Sequence, residues 1–303
     1  MSSRVLVIGY GSIGRRHAEI LSEIDTVSRV YVLSSQNGLP YKTIASLKEI
    51  PGLTPDYIVI ASPTDQHYSQ LKFLNEHLES RKILVEKPLF DIYHDFTIKN
   101  NQVFVGYNLR FHPMINKIKN FCKNKQLWNI QVFCGSYLPD WRADRDYRKT
   151  SSARQDSGGG VLLDLSHELD YVQWLAGPLE LKETVSEKVS DLEIDSDDLL
   201  LLSGKTKGGA HIHISLNYFT RQPIRQILLD GERISIQGDL ISNTLSVVKD
   251  GEIYDFSWAE HESDDTYRAQ HRAILEGDFK KICSFEEGLE TMCLIENIRK
   301  WRN

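Results

Sequence analysis

The pattern of hydrophobic and polar positions changes once along the chain, near residue 111. Before that point, continuous apolar runs alternate with segments that predict helices over about 12–21 and 66–78. Continuous apolar runs are typical of parallel strands that are buried on both faces. Strands that alternate with helices imply crossover connections and an open parallel sheet. The predicted strands cover residues 4–8, 30–33, 56–61, 82–86 and 102–107.

After residue 111 the pattern favours a domain of a different class. Short alternating strands fill 179–256, where residues 211–216 alternate strictly, as a half-buried antiparallel strand does. We therefore predict an α/β domain over 1–111 and an α+β domain with an open, mostly antiparallel sheet over 112–303. The other elements predicted in this second domain are helices at about 113–123, 160–175, 266–281 and 285–301, and a strand at 128–137.

Composition and charge narrow the class of protein. A chain of 303 residues with 41% hydrophobic and 26% charged residues is typical of a globular protein of two domains. The formal net charge of −6 disfavours a nucleic-acid coat or a basic membrane-surface protein, because both need a large positive surplus. An anionic small molecule stays possible as a ligand, since a site can be basic locally.

Cysteine usage and hydropathy indicate a cytoplasmic protein. The four cysteines show no CxxC spacing, so we expect reduced thiols and no cysteine-based metal site. No stretch approaches the ~20 apolar residues of a membrane span. The apolar run at 5–8 is too short for a signal peptide. The cysteines are Cys122, Cys134, Cys283 and Cys293.

A glycine-rich loop stands between the first strand and the first helix. Gly9, Gly11 and Gly14 form the pattern GxGxxG there. The first glycine permits a tight turn, the second lets the backbone approach a pyrophosphate, and the third permits close helix packing. The helix N-terminus that follows supplies N–H donors for an anion. This context predicts dinucleotide binding, and the alternative is a tight turn with incidental glycines.

The end of the second strand bears on the choice of dinucleotide. Ser34, Ser35 and Gln36 stand where an Asp or Glu would hold the adenosine ribose hydroxyls. No carboxylate is there to repel a 2′-phosphate, and Arg15 and Arg16 follow the glycine loop. The sequence thus favours NADP over NAD as cofactor and leaves NAD open.

Four segments together resemble the Gfo/Idh/MocA oxidoreductases. They are GYGSIGRRH at 9–17, ASPTDQH at 61–67, EKP at 86–88 and GGGVLLDLSHELD at 158–170. The resemblance implies an N-terminal Rossmann domain, a C-terminal domain on an open antiparallel sheet, and hydride transfer at a sugar or cyclitol carbon with NAD(P). The candidate cofactor residues are Gly9, Gly11, Ser12, Ile13, Gly14, Ser34, Ser35, Ser62, Thr64, His67 and Glu86.

Lys87 is the first catalytic candidate. It follows a predicted parallel strand, and the carboxyl ends of such strands face the ligand crevice. A lysine there can orient a substrate hydroxyl and stabilise developing negative charge on its oxygen. The resemblance implies that this lysine is catalytic, whereas position alone equally permits a surface lysine. Glu86 is better explained as a cofactor or scaffold contact than as the base.

His167 and Asp164 are the other catalytic candidates. At about 100° per residue, Asp164, His167 and Tyr171 share one face of the predicted helix. Histidine titrates near neutrality and can exchange a hydroxyl proton, and the glycines at 158–160 leave room for a ligand. The resembled family commonly spaces this Asp and His four residues apart, whereas here they are three apart. The shorter spacing therefore favours His167 over Asp164 as a catalytic residue. The alternative is that both lie on the solvent-facing side of an amphipathic helix.

Aromatic and arginine side chains are the candidate substrate contacts. The loop at 137–149 mixes both types, and arginine forks suit phosphate or carboxylate groups. Its acidic residues equally permit a surface loop whose charges pair internally. His211 and His213 share one strand face but have no evident third ligand, so we predict no metal site. The candidate substrate residues are Tyr107, Arg110, Trp141, Arg145 and Arg148.

These patterns predict an NAD(P)-dependent oxidoreductase that acts on a hydroxyl or keto carbon of a sugar derivative, with an acidic or nucleotide-linked sugar as the first expectation. The alternatives are a non-catalytic NAD(P)-binding regulator and an NAD-dependent glycoside hydrolase on the same fold. An open sheet face is often buried by association, so we expect a homo-oligomer, a dimer or tetramer. We expect no nucleic-acid or membrane partner.

Overall fold

The computed structural model describes residues 2–142 and 144–301. Its helices in chain order are Ser12–Ser22 (α1), Ile50–Leu53 (α2), His67–His77 (α3), Pro113–Cys122 (α4), Val161–Asp164 (α5), His167–Ala176 (α6), Ser263–Glu276 (α7) and Phe285–Lys300 (α8). Its strands are Ser3–Ile8 (β1), Val27–Leu33 (β2), Lys42–Ile44 (β3), Tyr57–Ile60 (β4), Lys82–Val85 (β5), Gln102–Val105 (β6), Leu127–Gly135 (β7), Leu179–Glu187 (β8), Leu199–Thr206 (β9), His211–Asn217 (β10), Ile224–Gly231 (β11), Ile234–Asp239 (β12), Thr244–Lys249 (β13), Glu252–Ser257 (β14) and Cys283–Ser284 (β15).

The first sheet is an open, seven-stranded sheet in the order β15-β6-β5-β4-β1-β2-β3. All its strand pairs are parallel except β15 with β6. The central strands are buried on both faces, as their continuous apolar runs predict. The predicted Rossmann-like sheet is thus confirmed, with β3 and β15 as two short additions.

The second sheet has eight strands in the order β14-β13-β12-β11-β7-β10-β9-β8. Within this second sheet, as far as the structure describes its strands, only the pairing of β10 with β7 is parallel. The alternation on β10 works as predicted, because Ile212 and Ile214 are buried while His211 and His213 are exposed. The predicted mostly antiparallel sheet is therefore confirmed.

The chain divides into two compact units, and the division corrects part of our prediction. The first unit is Met1–Phe111 with Glu262–Met292, and the second is His112–His261 with Cys293–Asn303. We predicted that all of 112–303 forms the second domain. Residues 262–292 instead join the first unit, because α7 packs on α1 and buries His271, while β15 extends the parallel sheet beside β6.

The single helix predicted at about 160–175 is two helices. α5 ends at Asp164, and Leu165 leaves the helical region with φ −98° and ψ 26° before α6 begins at His167. Asp164 and His167 therefore lie on either side of a break rather than on one continuous helix. Among the helices of residues 2–142 and 144–301, none combines the length and apolar composition of a membrane span.

Candidate active site

The glycine loop has the geometry that the GxGxxG spacing predicts. Gly9 has φ +92°, which favours glycine, and a Cβ on Gly14 would overlap the carbonyl oxygen of Gly9. A Cβ on Gly11 would meet nothing within 4 Å. Gly11 is the N-cap of α1, and no side chain caps the helix. The first N–H groups of α1, at Ser12 and Ile13, therefore lie beside open space.

This loop fits a dinucleotide pyrophosphate. The cradle above Gly11 is a volume that any larger side chain would fill. Uncapped N–H groups at a helix N-terminus attract an anion, because the helix dipole and the unsatisfied donors act together. Gly11 and Ser12 are exposed, whereas Gly14 is buried against the turn. The predicted cofactor residues Gly9, Gly11, Ser12, Ile13 and Gly14 thus form one continuous cradle.

The end of β2 lies beside this loop and carries no carboxylate. The Gln36 side chain donates to the carbonyl oxygen of Tyr10 at 3.0 Å, and the Gln36 N–H donates to Ser34 Oγ at 3.1 Å. Ser35 is exposed. Gln36 thereby ties the segment after β2 to the glycine loop.

Both arginines that the sequence suggests for a 2′-phosphate already have partners. Arg15 pairs with Glu19 at 2.7 Å on the exposed face of α1. Arg16 pairs with Asp264 at 3.1 Å and lies over the ring of Tyr267. Either arginine would have to leave a carboxylate to meet a phosphate.

His67 connects two of the motif segments. Its side chain is buried, with Nδ1 3.1 Å from the Pro88 carbonyl oxygen and Nε2 3.0 Å from the Ser62 carbonyl oxygen. Burial lowers the pKa of His67, and the surrounding carbonyl groups oppose that shift. The structure therefore gives His67 a bracing role between these loops. Thr64 begins the turn that leads into α3.

Lys87 lies where the sequence predicts, directly after β5. It is partly exposed, and its backbone N–H donates to Glu86 Oε2 at 3.2 Å. Glu86 itself is buried, and its Oε1 lies 2.9 Å from His17 Nε2. This arrangement fits the predicted scaffold role of Glu86.

Two residues proposed for substrate contact are buried in the structure. Arg110 is 2% exposed and pairs with Glu287 at 2.8 Å, and Tyr107 is 1% exposed. A buried guanidinium needs a charged or hydrogen-bonding partner, so the contact with Glu287 gives Arg110 a structural role. The sequence signal, a position just after the last parallel strand, does not distinguish a buried ion pair from a substrate contact.

In the second unit, Asp164 and His167 keep access to solvent. Within the fully described stretch 158–172, every residue except these two is buried. Tyr171, which we predicted on the same polar face, is fully buried, and burial raises the pKa of its hydroxyl well above the usual value. The prediction for Tyr171 was wrong because α6 packs against β7, which covers this turn of the helix although His167, one turn earlier on the same helix, stays partly exposed.

The glycines before α5 make room for the chain itself. A Cβ on Gly159 would overlap the Ser151 carbonyl oxygen, and one on Gly160 would overlap the Asp197 carboxylate. Asp197 also accepts the Leu162 N–H at 3.0 Å. The space that we predicted for a ligand at these glycines is therefore filled by backbone and by a carboxylate.

Tyr218 is a partner of the candidate residue Asp164 that sequence reasoning missed. Its hydroxyl donates to Asp164 Oδ2 at 2.7 Å, and its ring meets Trp141 edge-on with centroids 5.2 Å apart. Burial and the Asp164 charge raise the pKa of Tyr218 well above its usual value, so it keeps its proton. Trp141 donates to Ser136 Oγ at 2.8 Å. The structure thus brings together Asp164 and Trp141, which we predicted separately.

The loop arginines differ in how they are paired. Arg148 contacts both oxygens of Asp146, at 2.8 and 3.1 Å, and also Glu193 at 2.9 Å. Arg145 is paired only loosely, 3.9 Å from Asp144, and both side chains are largely exposed. Internal pairing, the alternative reading of this loop, therefore describes Arg148 more closely than Arg145.

Two family sequence models match the chain. The one described as an oxidoreductase family with an NAD-binding Rossmann fold matches residues 3–107. The one described as the GFO/IDH/MocA C-terminal domain matches residues 115–239. Together they cover the glycine loop, the Glu-Lys-Pro segment and the Asp164–His167 region.

Curated relatives are distant in sequence. An uncharacterized oxidoreductase of Synechocystis is 26% identical over 48% of this chain and 44% of its own length. Glucose-6-phosphate 3-dehydrogenase of Bacillus subtilis is 24% identical over 70% of this chain and 66% of its own. A 2,7-anhydro-N-acetylneuraminate hydratase of Mediterraneibacter gnavus is 23% identical over 89% and 77%. The matches thus span between about half and three quarters of these relatives' lengths.

Solved structures show the same fold over nearly the whole chain. The apo form of a levoglucosan dehydrogenase superposes with a TM-score of 0.85 at 15% identity, covering 99% of this chain and 97% of the other. The WlbA dehydrogenase of Bordetella pertussis, in complex with NADH and UDP-GlcNAcA, gives 0.79 at 18% identity, covering 99% and 96%. With both family models matched in order, the chain belongs to the Gfo/Idh/MocA family of oxidoreductases.

Proposed function

We propose that this protein is an NAD(P)-dependent dehydrogenase or reductase that acts on a hydroxyl or keto carbon of an anionic sugar derivative. The glycine cradle carries the proposal. Gly11 leaves open space beside an uncapped helix N-terminus, on the same unit that presents Lys87 at the carboxyl end of β5. When bound, the nicotinamide cofactor accepts or returns a hydride.

In the first unit we assign the substrate oxygen to Lys87. Its ammonium group would polarise the reacting hydroxyl or carbonyl and stabilise negative charge that develops there. Glu86 fixes the Lys87 backbone through the Lys87 N–H, and His67 braces the two residues that follow. The strand end thus supports a side chain that can be held in one position.

In the second unit we assign the proton to His167. During oxidation its imidazole would take the hydroxyl proton as the adjacent C–H bond breaks, and during reduction it would return it. Asp164 would accept a hydrogen bond from a substrate hydroxyl or from His167. The hydrogen bond that Tyr218 donates fixes the Asp164 carboxylate. Trp141, in edge contact with Tyr218, would pack against a sugar ring.

The anionic character of the substrate rests on relatives and on the loop arginines. Two of the relatives named above are glucose-6-phosphate 3-dehydrogenase and 2,7-anhydro-N-acetylneuraminate hydratase, and the WlbA structure contains the nucleotide-linked sugar UDP-GlcNAcA. Arg145 is the loop arginine best able to turn towards an anion, because its contact with Asp144 is long and exposed. A uronate, a sugar phosphate and a nucleotide sugar share this chemistry.

The cofactor binding test uses Gly11. Its φ of −74° suits any residue and its Cβ position is empty, so Gly11→Val should fold normally and block the pyrophosphate. Gly52→Val is the matched control, because a Cβ on Gly52 of α2 also meets nothing within 4 Å. We expect Gly11→Val to lose NADH and NADPH binding with an unchanged melting temperature. Normal binding by Gly11→Val would overturn the assignment of the cradle.

For the cofactor itself we propose that NADPH binds at least as tightly as NADH. No carboxylate stands at Ser34 or Ser35 to repel a 2′-phosphate, and Arg15 could reach it only by leaving Glu19. Ser35→Asp should then shift preference towards NADH by about tenfold, through charge repulsion. A strong NADH preference in the unaltered protein, measured by fluorescence titration, would refute this.

The reaction is tested by a substrate panel. Uronates, sugar phosphates and UDP-sugars are offered in turn with each oxidised and reduced cofactor, and the nicotinamide absorbance is followed. Stoichiometric change of absorbance with at least one class supports the proposal. A protein that binds cofactor but changes no substrate, even in a single turnover, is the non-catalytic regulator instead.

The hydratase relative favours a second candidate, a reaction without net redox change. That protein is similar over 89% of this chain. In such a reaction a sugar product forms while the total nicotinamide absorbance stays constant, and chromatography of the same panel reveals it. The glycoside hydrolase alternative gives the same absorbance result and releases a free sugar.

We further propose a cytoplasmic homo-oligomer that associates through the second sheet. The outward face of that sheet carries partly exposed apolar side chains, among them Leu201, Leu228 and Val248. Leu228→Lys should lower the oligomeric state in sedimentation or light scattering. Monomers in the unaltered protein would contradict this proposal.

A further inference from the structure

Four buried side chains of the first unit form a single hydrogen-bonded series. Tyr57 OH lies 2.9 Å from His271 Nδ1, His271 Nε2 lies 2.8 Å from His17 Nδ1, and His17 Nε2 lies 2.9 Å from Glu86 Oε1. Tyr57 and both histidines are fully buried, and Glu86 is 5% exposed. The series runs from Tyr57 on β4, through His271 on α7 and His17 on α1, to Glu86, the residue before Lys87. We call these four residues the relay.

The position of each proton in the relay follows from donor and acceptor counting. A neutral histidine has one N–H and one acceptor nitrogen. Burial and nearby His17 lower the pKa of His271 well below its usual value, so His271 is neutral. Burial and Glu86 raise the pKa of Tyr57 well above its usual value, so the hydroxyl keeps its proton.

Only one direction satisfies every group. If Tyr57 donates to His271 Nδ1, then His271 donates from Nε2 to His17 Nδ1, and His17 donates from Nε2 to the Glu86 carboxylate. In the reverse direction the Tyr57 proton would need another acceptor, and none exists among residues 2–142 and 144–301. A buried donor without an acceptor costs about 1–3 kcal/mol. All three protons therefore point towards Glu86.

The relay ends at a carboxylate that is held on several sides. Glu86 Oε1 accepts from His17, and Oε2 accepts the Lys87 N–H at 3.2 Å. A Cβ on Gly106 would lie 2.7 Å from Oε1, so the neighbouring strand end closes the remaining space. Hydrogen bonds aligned in one direction polarise one another, which strengthens the hold on the carboxylate.

We propose that His17 and His271 are positioning residues that act through Glu86 to fix the backbone of Lys87. Both are fully buried, and neither lies within 4 Å of the position that a Cβ on Gly11 would take. Their effect on turnover rests on the proposed function, in which Lys87 meets the substrate oxygen. Their effect on the Lys87 backbone does not, and can be measured without any substrate.

The first experiment reads the relay directly. Long-range 1H–15N spectra of histidine-labelled protein, with His17→Gln and His271→Gln to assign the signals, report which ring nitrogen carries the proton. We expect neutral His17 and His271, both with the proton on Nε2. A proton on Nδ1 of either ring, or an imidazolium at neutral pH, would overturn the relay.

The second experiment reads the Lys87 amide by hydrogen exchange in the whole protein. His17→Leu removes the donor to Glu86, and His17→Gln keeps an N–H near the position of Nε2. We expect the Lys87 amide to exchange about tenfold faster in His17→Leu and near the original rate in His17→Gln, while the Val85 amide inside β5 changes little. Tyr267→Phe is the matched control, because its ring contacts His17 edge-on without joining the relay.

The third experiment is kinetic. Since small displacements of a catalytic group can cost up to about 10²-fold, we expect His17→Leu to lower kcat by ~10–100-fold with little change in cofactor Kd. His17→Gln should recover most of the rate, and Tyr267→Phe should match the unaltered protein. If no substrate is ever turned over, the proposed function fails. The Lys87 amide exchange rate and the histidine tautomers still show whether the relay exists and positions Lys87. Unchanged Lys87 exchange in a folded His17→Leu would refute the positioning role.

Discussion

In the first unit, the segment around Lys87 is fixed by buried polar groups. His17 holds the Glu86 carboxylate, and His67 lies between the Ser62 and Pro88 carbonyl groups. In the second unit, the corresponding motif residues are partly exposed. Asp164 and His167 alone keep exposure between residues 158 and 172, and the nearby loop carries exposed arginines.

We call the segment around Lys87 the fixed half, because buried hydrogen bonds hold it in place. We call Asp164, His167 and the loop arginines the adaptable half, because their exposure lets them change partners. Buried polar groups must be fully satisfied, so each hydrogen bond in the first unit restricts its neighbour. Such a network suits a cofactor, which presents the same groups in every turnover. Exposed side chains change partners at a small cost in free energy, and this suits the recognition of a particular sugar. Substrate preference should therefore be easier to change than cofactor geometry.

The largest expected effect tests the fixed half. Lys87→Ala should lower kcat by about 10³-fold with nearly unchanged cofactor Kd, because the ammonium group is assigned to the reacting oxygen rather than to the pyrophosphate. Steady-state kinetics and fluorescence titration on the same preparation measure both. Lys72→Ala, at an exposed lysine of α3, is the control. Near-normal kcat in Lys87→Ala would remove Lys87 from the mechanism.

The next effect tests the adaptable half. His167→Asn should lower kcat by ~10²–10³-fold, within the usual range for general acid–base assistance, and remove a limb of the pH–rate profile in the neutral range. Asp164→Asn should do less, since Tyr218 already supplies a hydrogen bond to that side chain. Tyr218→Phe should resemble Asp164→Asn if the two residues act together. Retention of both rate and pH limb in His167→Asn would move the proton carrier elsewhere.

The contrast between the halves also explains what the sequence could predict. The glycine loop, the strand before Lys87 and the two sheet classes follow from local patterns, because glycine geometry and apolar periodicity act over a few residues. Local patterns did not predict that α7 packs in the first unit. The contacts that hold α7 there are long-range, such as the one between His271 and His17, which lie 254 residues apart in the sequence.

The candidate site divides in the same way. Asp164 and His167 are singled out by the segment GGGVLLDLSHELD at 158–170, whereas Tyr171 is buried because α6 packs against β7 one turn after His167. Arg110 and Tyr218 also differ from what the sequence suggests. Arg110 was predicted to contact substrate but is buried in an ion pair, whereas Tyr218 was not singled out but contacts Asp164. An arginine after a strand can be buried if a carboxylate such as Glu287 pairs with it, and a tyrosine after another strand can support the site if Asp164 accepts its hydrogen bond. Long-range partners decide both.

A third prediction concerns the acid stability of the second unit, which contains His112. Burial, with nearby His261, lowers the pKa of His112 to about 4, so the folded state holds His112 neutral while the unfolded chain binds a proton below about 6.5. The unfolded state gains protons first, so the free energy of unfolding should fall as pH drops from 6.5 towards 4, by about 2 kcal/mol at pH 5. Below pH 4 this loss stops growing.

The second unit can be followed by itself in this test. All five tryptophans lie within it, so tryptophan fluorescence during urea unfolding reports on that unit. His112 accepts the Met114 N–H as the N-cap of α4, and His112→Asn keeps a capping group without a titrating ring. The variant should lose less stability between pH 7 and pH 5 than the unaltered protein. Equal losses would assign the acid sensitivity to other groups.

The smallest expected effect concerns the loop arginines and separates internal pairing from substrate recognition. Arg148 would have to leave Asp146 and Glu193 to meet an anionic sugar, whereas Arg145 has only a long contact with Asp144. Arg145→Gln should therefore raise KM for an anionic sugar by about fivefold, and Arg148→Gln by about twofold or less, both with kcat preserved, because these contacts are equal in the ground and transition states. A neutral sugar that the enzyme accepts should show no change with either variant. High salt should shrink the Arg145 effect, since exposed charge pairs are screened. A larger effect from Arg148 than from Arg145 would mean that the substrate displaces the paired carboxylates, and the second unit would then be no more adaptable at this loop than the first unit is at Lys87.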